Sequence, residues 1–340
     1  ISDNEIYDNA VGVGLGAGGC DGDECVGDIS GNKIIGNHIY DNEDERSGIH
    51  VEGEDVSFSE LTIRDNNIAN NGGYGIYFDK VNDGTLTISG NEITGNGSAG
   101  VYLSGDSGGI VNSKVILRDN NISDNAREGL YINRVDDESE LEVIGNTISN
   151  NGKSEEGEGE DYAGAYINNV FNESVVTFRD NTISDNDSRG VYVCSEGECS
   201  SSTLTFEGNT IENNNSTGIY VYYLSASTLN VLENTIRDTT GPGFELGYVG
   251  ESESASSTVT VSENTFDGNY YGIYINETDD DSEITIGKDN VIKNNSNTGI
   301  YLGSPVSGVT IDGNIIKDNG VESETTGIVI FSASGNEAHG

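Results

Sequence analysis

Asn120-Asn121-Ile122-Ser123-Asp124-Asn125-Ala126-Arg127-Glu128-Gly129-Leu130-Tyr131-Ile132 is the phrase on which the chain is built. It has two halves, Asn120-x-Ile122-x-x-Asn125 and Gly129-Leu130-Tyr131-Ile132, and a short apolar alternation, Val115-x-Leu117, leads into it. Asn-x-Ile-x-x-Asn starts twelve times, at Asn4, Asn37, Asn66, Asn91, Asn120, Asn146, Asn181, Asn209, Asn234, Asn264, Asn290 and Asn314. Phe266 replaces the Ile once and Thr239 replaces the closing Asn once. Successive starts lie 24 to 35 residues apart, so the phrase is fixed while the loops vary.

The second half returns each time, as Gly75-Ile-Tyr-Phe78, Gly100-Val-Tyr-Leu103 or Gly299-Ile-Tyr-Leu302, with Gly12-Val-Gly-Leu15 as its weakest copy. A third apolar alternation recurs too, as Leu86-Thr-Ile88, Leu141-Glu-Val143 and Val259-Thr-Val261. Each repeat thus holds three segments of period two, separated by Asn and Gly turns, and none shows helical periodicity. One repeat cannot bury its inward residues alone, whereas stacked repeats make a continuous core. With equivalent positions one strand spacing apart, eleven steps give a rod of about 50 Å. Asn and Gly tolerate the left-handed backbone of sharp corners. A stacked Asn can also bond its amide to the copies above and below. Gly335-Asn336-Glu337-Ala338 reads as one more, decaying, start of the Asn phrase.

At this point the residues resemble a known group. Asn-x-Ile-x-x-Asn…Gly-Ile-Tyr-x is similar to the repeats of right-handed parallel β-helix proteins of the pectin-lyase-like superfamily, nearest to those of surface proteins and periplasmic NosD-like proteins. The resemblance covers essentially the whole chain. It implies an all-β, single-stranded parallel β-helix of about twelve coils. It says little about activity, because the superfamily holds lyases, hydrolases, epimerases, tailspikes, adhesins and surface-layer proteins. The expected organisation is one β-helix domain over residues 1–340, excerpted from a longer polypeptide, since the chain begins inside a repeat and contains no Met.

Composition agrees with a narrow core: 33% of residues are hydrophobic and 47 are Gly. Fifteen Lys and Arg against 59 Asp and Glu give a formal charge of −44. That excludes nucleic-acid phosphates as partners and opposes anionic membrane surfaces. No apolar run is long enough for direct membrane insertion. The acidity reads either as a solvated surface or as divalent-cation binding by clustered carboxylates, with Ca2+ the cofactor it suggests. The acidic loops include Glu52-x-Glu54-Asp55, Asp136-Asp137-Glu138, Glu251-x-Glu253, and Asp279, Asp280 and Asp281, the last three being the candidate metal ligands. No EF-hand spacing is present.

Four cysteines form two matching loops, Cys20 to Cys25 and Cys194 to Cys199. Six coils separate the loops, roughly 29 Å by strand spacing, so only local pairs can close. Two such staples point to an oxidising location, extracellular or at the cell surface. Among the Asn-x-Ser/Thr sites, Asn172 and Asn276 lie in loops and are the glycosylation candidates.

The alternation in Gly-Ile-Tyr-x turns Ile inward and Tyr outward. Tyr77, Tyr102, Tyr131, Tyr166, Tyr192 and Tyr220 then form an outward column over six coils. Glu245 interrupts it, Tyr274 and Tyr301 resume it, and His50 flanks it. Stacked aromatics can serve only to stabilise the sheet. They can equally form a platform for a sugar chain or another protein, and in carbohydrate-active β-helices of the superfamily the substrate groove often lies outside one sheet. Catalytic constellations are scarce. His50 and Tyr77 are the outward candidates for a β-elimination base, without a cationic cluster beside them to neutralise a uronate. Stacked coils could supply the paired carboxylates of inverting hydrolysis, but no Asp pair recurs at outward strand positions.

The expected function is therefore an extracellular structural module, a building block of a filament, sheath or surface layer with an adhesive role, self-assembling or meeting other surface proteins. The alternative is a polysaccharide-binding or lyase-type polysaccharide-degrading β-helix that uses the Tyr column. A trimeric tailspike or adhesin arm is a third reading.

Overall fold

The computed structural model describes residues 1–16, 27–28, 32–42, 47–52, 56–57, 59–104, 109–153, 162–195, 197–250, 256–279, 281–304, 306–320, 327–330, 333–334 and 337–339. Every strand pair it contains is parallel, and the coils stack into three long sheets. The coil around Asn120 shows the plan. Asn121–Ser123 lies in the first sheet, Leu130–Asp136 in the second and Glu140–Ile144 in the third. The first and third sheets have twelve strands each, and the second has a path of twelve with three short strands beside it.

Burial follows the alternation. Ile122, Leu130, Ile132, Leu141 and Val143 are fully buried, while Asn121, Tyr131 and Glu142 face outward on the same strands. Each strand therefore contributes one or two apolar side chains to a core that is one side chain deep from each wall. The core runs unbroken from Val13 to Ile311. Each buried aliphatic contributes roughly 1.5–3 kcal/mol, and the phenylalanines Phe178 and Phe206 stack within it at 5.4 Å.

The expected asparagine ladders are present, and there are two. In the inner one, Asn120 Nδ2 donates to Asn146 Oδ1 at 2.9 Å and to the Ile88 carbonyl at 2.9 Å. Its Oδ1 accepts from the backbone N–H of Asn91 at 2.9 Å and from Asn91 Nδ2 at 3.0 Å. The second ladder runs through Asn96, Asn125, Asn151 and Asn186 with the same pattern. Where Thr239 stands for Asn, its hydroxyl and backbone N–H both face Asn269 Oδ1, at 2.8 and 3.1 Å. A third ladder, of serines, was not anticipated. Backbone N–H groups of Ser113, Ser139, Ser202, Ser227 and Ser257 each donate to the serine hydroxyl of the next coil.

The corner residues before each ladder Asn carry the left-handed backbone. Asp3, Gly36, Asp65, Gly90, Asp119, Gly145, Asp180 and Gly208 all have φ between 56° and 65°. Asp and Gly alternate because the Asp side chain lies over the next coil's Gly: a Cβ on Gly145 would come 2.7 Å from Asp119 Oδ1. Arg64, Arg118 and Arg179 pair with the Asp beside them, and from Asp3 to Gly208 the corner has a two-coil period, after which Glu233, Glu263 and Asp289 take the position in successive coils.

The Cys194–Cys199 disulfide is formed, with Cα atoms 5.5 Å apart and both residues buried. Cys20 and Cys25 lie outside the described residues. One expectation is corrected. Glu337–His339 pairs with the third-sheet strand Val309–Asp312, setting Ala338 beside Ile311, and does not extend the first sheet as a new Asn phrase would. Ala338 thus stands in the register of the third-sheet alternation, where Ile or Val recurs.

Candidate functional site

The outward column of the second sheet is continuous and in register: His50 pairs with Tyr77, Tyr77 with Tyr102, and so on to Tyr274 with Tyr301. The rings lie face to face. Tyr77/Tyr102, Tyr102/Tyr131 and Tyr131/Tyr166 have centroids 5.6, 4.7 and 5.2 Å apart and planes within 10°. Tyr166 and Tyr192 meet edge-on at 83°. Stacking resumes for Tyr192/Tyr220 and Tyr274/Tyr301, both at 4.9 Å. Stacked rings cover each other's faces, so the column is a ridge of ring edges and hydroxyls rather than a floor of open ring faces. The stack breaks at Tyr166/Tyr192 and at Glu245.

A second row flanks the ridge, three positions before the column residue. Tyr74 leans against Tyr77 and Tyr102, at 5.3 and 4.4 Å. Tyr271 does the same against Tyr274 and Tyr301, at 5.3 and 5.4 Å. At the equivalent position Arg189 spreads its guanidinium over Tyr192 and Tyr220, 4.4 and 5.1 Å from their centroids. Thr217, one coil on, donates its hydroxyl to Glu245 Oε2 at 2.7 Å. Glu245 stands in register between Tyr220 and Tyr274. Burial pushes its carboxyl above the ordinary value, partly offset by the Thr217 hydroxyl and by Arg189. Burial, then the neighbouring Glu245, push the Tyr220 phenol well up. A protonatable carboxyl, a guanidinium and phenols are thus grouped over three neighbouring coils: a cation to hold an anionic or hydroxyl-rich ligand, and groups that donate or accept protons beside it. Arg189, Thr217 and the flanking tyrosines were missed from the sequence. The signal was there, in the residue immediately before the strand glycine, but it reads as a turn residue until its side chain is seen lying on the sheet.

His50 and Tyr77, the sequence candidates for a base, do come together, stacked at 4.5 Å. Ser47 Oγ lies 3.3 Å from His50 Nδ1, and Glu52 lies 3.4 Å from Nε2. The Tyr77 hydroxyl donates to Asp79, and burial together with that bond pushes its phenol well up. The pair is held by its own neighbours, among them Ser47, Glu52 and Asp79.

Among the described residues no group of three or more His, Cys, Asp and Glu is placed to hold a metal ion. Asp279 Oδ1 accepts from the Ser282 backbone N–H at 3.0 Å, and Asp280 lies outside the described residues. Asn172 donates to Asp136 Oδ1 at 2.7 Å, and Asn276 faces the Tyr274 hydroxyl at 3.4 Å. Among the described residues no helix is long and apolar enough to cross a membrane.

The model of the right-handed β-helix region family matches residues 1–115, 109–252 and 251–340. No curated protein matches the sequence. Among solved structures the chain is similar to the A-module of the Azotobacter vinelandii mannuronan C-5 epimerase AlgE4. That likeness has a TM-score of 0.55 and 18% identity, over 99% of this chain and 91% of that one. It is also similar to the periplasmic alginate epimerase AlgG, with a TM-score of 0.45 and 14% identity, over 90% of this chain and 74% of that one.

Proposed function

The chain belongs to the right-handed β-helix region family, and from that premise we propose that it is a polysaccharide-engaging protein working outside the cytoplasm. A glycan chain lies along the rod on the second sheet, over the tyrosine ridge, and is anchored at Arg189, Thr217 and Glu245. One observation carries this reading. The ridge gives one outward phenol per coil over most of its length, and at its interruption a guanidinium lies on the adjoining rings while a hydroxyl donates to a half-buried carboxyl. A repeating polymer meets a repeating set of hydrogen-bonding groups.

A β-helix neighbour named for action on mannuronan, a polysaccharide, supports the class of ligand. The filament or sheath building block expected from the sequence has no comparable support. The Cys194–Cys199 disulfide supports an oxidising compartment. The test is a glycan array with the wild type, an Arg189→Ala variant and a Tyr131→Ala/Tyr166→Ala variant. The reading expects a bound polysaccharide whose signal falls in both variants while their circular dichroism is unchanged. Binding that survives both, or no binding to any glycan, overturns it.

A further inference from the structure

The geometry of the phenols permits a covalent chemistry that glycan binding does not use. Tyr77, Tyr102, Tyr131 and Tyr166 form one continuous stack with planes within 10° of parallel. Tyr192/Tyr220 and Tyr274/Tyr301 form two more, with planes within 8°. The backbones beneath them are in register, so Cβ stands over Cβ from coil to coil. With planes parallel and anchor points aligned, each carbon ortho to a hydroxyl faces its equivalent on the next ring, about one centroid separation away. A rotation about the Cβ–Cγ bond, with small strand breathing, brings such carbons together. The arrangement fails at two places: the 83° turn between Tyr166 and Tyr192, and Glu245.

Composition points the same way. The chain has 17 Tyr but no Trp and no Met, and among the described residues no cysteine is free. Tyrosine is therefore the side chain from which an oxidant most readily removes an electron. Loss of that electron needs somewhere for the proton to go, and burial pushes the phenols of Tyr77 and Tyr274 up. Tyr77 has its acceptor in place, the Asp79 carboxylate to which its hydroxyl donates. A radical formed on any ring of a stack has the next ring about 5 Å away.

We propose that the tyrosine column is a site of oxidative coupling, at which a peroxide-charged haem peroxidase or an equivalent one-electron oxidant joins stacked tyrosines of neighbouring coils into dityrosine. Two phenols each give up one electron and the hydroxyl proton, leaving two phenoxyl radicals with spin density at the ortho carbons. The radicals join through a new ortho carbon–ortho carbon bond. The hydrogens displaced at the joined carbons move to the oxygens as both rings regain aromaticity. One peroxide takes up the two electrons and two protons and leaves as two waters. The product staples one coil to the next across the outside of the second sheet. Like any cross-link between coils, it restricts the unfolded chain.

The experiment treats the purified chain at high dilution with hydrogen peroxide and a haem peroxidase, and in parallel with a photo-activated ruthenium oxidant that needs no protein docking. Dityrosine fluorescence, the size of the product and mass-spectrometric mapping of linked peptides are read. The expected product is a monomer lighter by two hydrogens per link, with Tyr102–Tyr131, Tyr131–Tyr166, Tyr192–Tyr220 and Tyr274–Tyr301 links. The linked yield per chain is unchanged on further dilution. Tyr131→Phe, which keeps the ring and removes the phenol, loses both links to residue 131 and keeps Tyr192–Tyr220. Links found only between chains, a Tyr166–Tyr192 link as abundant as Tyr131–Tyr166, or tyrosine oxidation without dityrosine would each overturn the proposal.

Discussion

At the scale of single residues, Glu245 and Asn120 show how two polar side chains take different chemistry from their surroundings. Asn120 is buried and satisfied on both sides, giving through Nδ2 and receiving through Oδ1. Truncation to Ala leaves the Asn91 backbone N–H without its side-chain acceptor and removes the amide donor to Ile88 and one of the two donors to Asn146 Oδ1. Asn120→Ala is expected to cost about 2–4 kcal/mol, read from chemical denaturation midpoints. Glu245 is an acid placed in register between Tyr220 and Tyr274, and burial raises its folded-state value above the ordinary 4.5. The native state then holds the proton more tightly than the unfolded chain. The contribution is fully present below about 4.5, the unfolded value, and is lost as pH rises through the folded value. Set against the wild type, Glu245→Gln, which keeps an acceptor for Thr217, should therefore gain stability as pH rises through that window. Thermal melts of both proteins across mildly acidic pH, subtracted from each other, check the sign; a flat difference would mean that the carboxyl is solvated.

At the scale of the element, the coil corner sets how much acid the rod tolerates. Parallel in-register stacking places every residue beside its own equivalent, so a charge repeated in every coil meets itself about 4.8 Å away. From Asp3 to Gly208 the corner avoids this by alternating Asp with Gly, and Gly145 sits between Asp119 and Asp180. Gly145→Asn and Gly145→Asp introduce the same shape and the same crowding against Asp119, and differ only in charge. The Asp variant is expected to be less stable than the Asn variant by about 1–2 kcal/mol at low salt, one unit charge against each of two neighbours in a water-like dielectric. The gap should close as salt is added. The same in-register rule explains what was legible beforehand. Because like sits on like, the repeat of Asn120, Ile122, Gly129 and Tyr131 gave three sheets, the inward set and the first ladder directly. It could not give ring orientation, which turns to 83° between two identical residues, Tyr166 and Tyr192. Nor could it show that Arg189 lies across two rings, because a side chain's path over a sheet leaves no period in the sequence.

At the scale of the whole molecule, a rod with a formal charge of −44 repels itself. Its melting temperature should rise with sodium chloride over the range in which the Debye length falls from about 30 to about 8 Å, and a falling melting temperature would show that paired charges dominate. The same scale decides what kind of site this protein has. A pocket of one coil would saturate with a short ligand, whereas a ridge spanning coils gathers affinity from each unit it contacts, at a cost in ordering paid once. The direct measurement is calorimetric titration with a length series of oligosaccharides from the polysaccharide that binds. The account predicts that affinity keeps rising with length until the ligand spans the stack from Tyr77 to Tyr166 and reaches the Arg189–Glu245 break. Affinity that levels off at a disaccharide, or that does not depend on length, would contradict it.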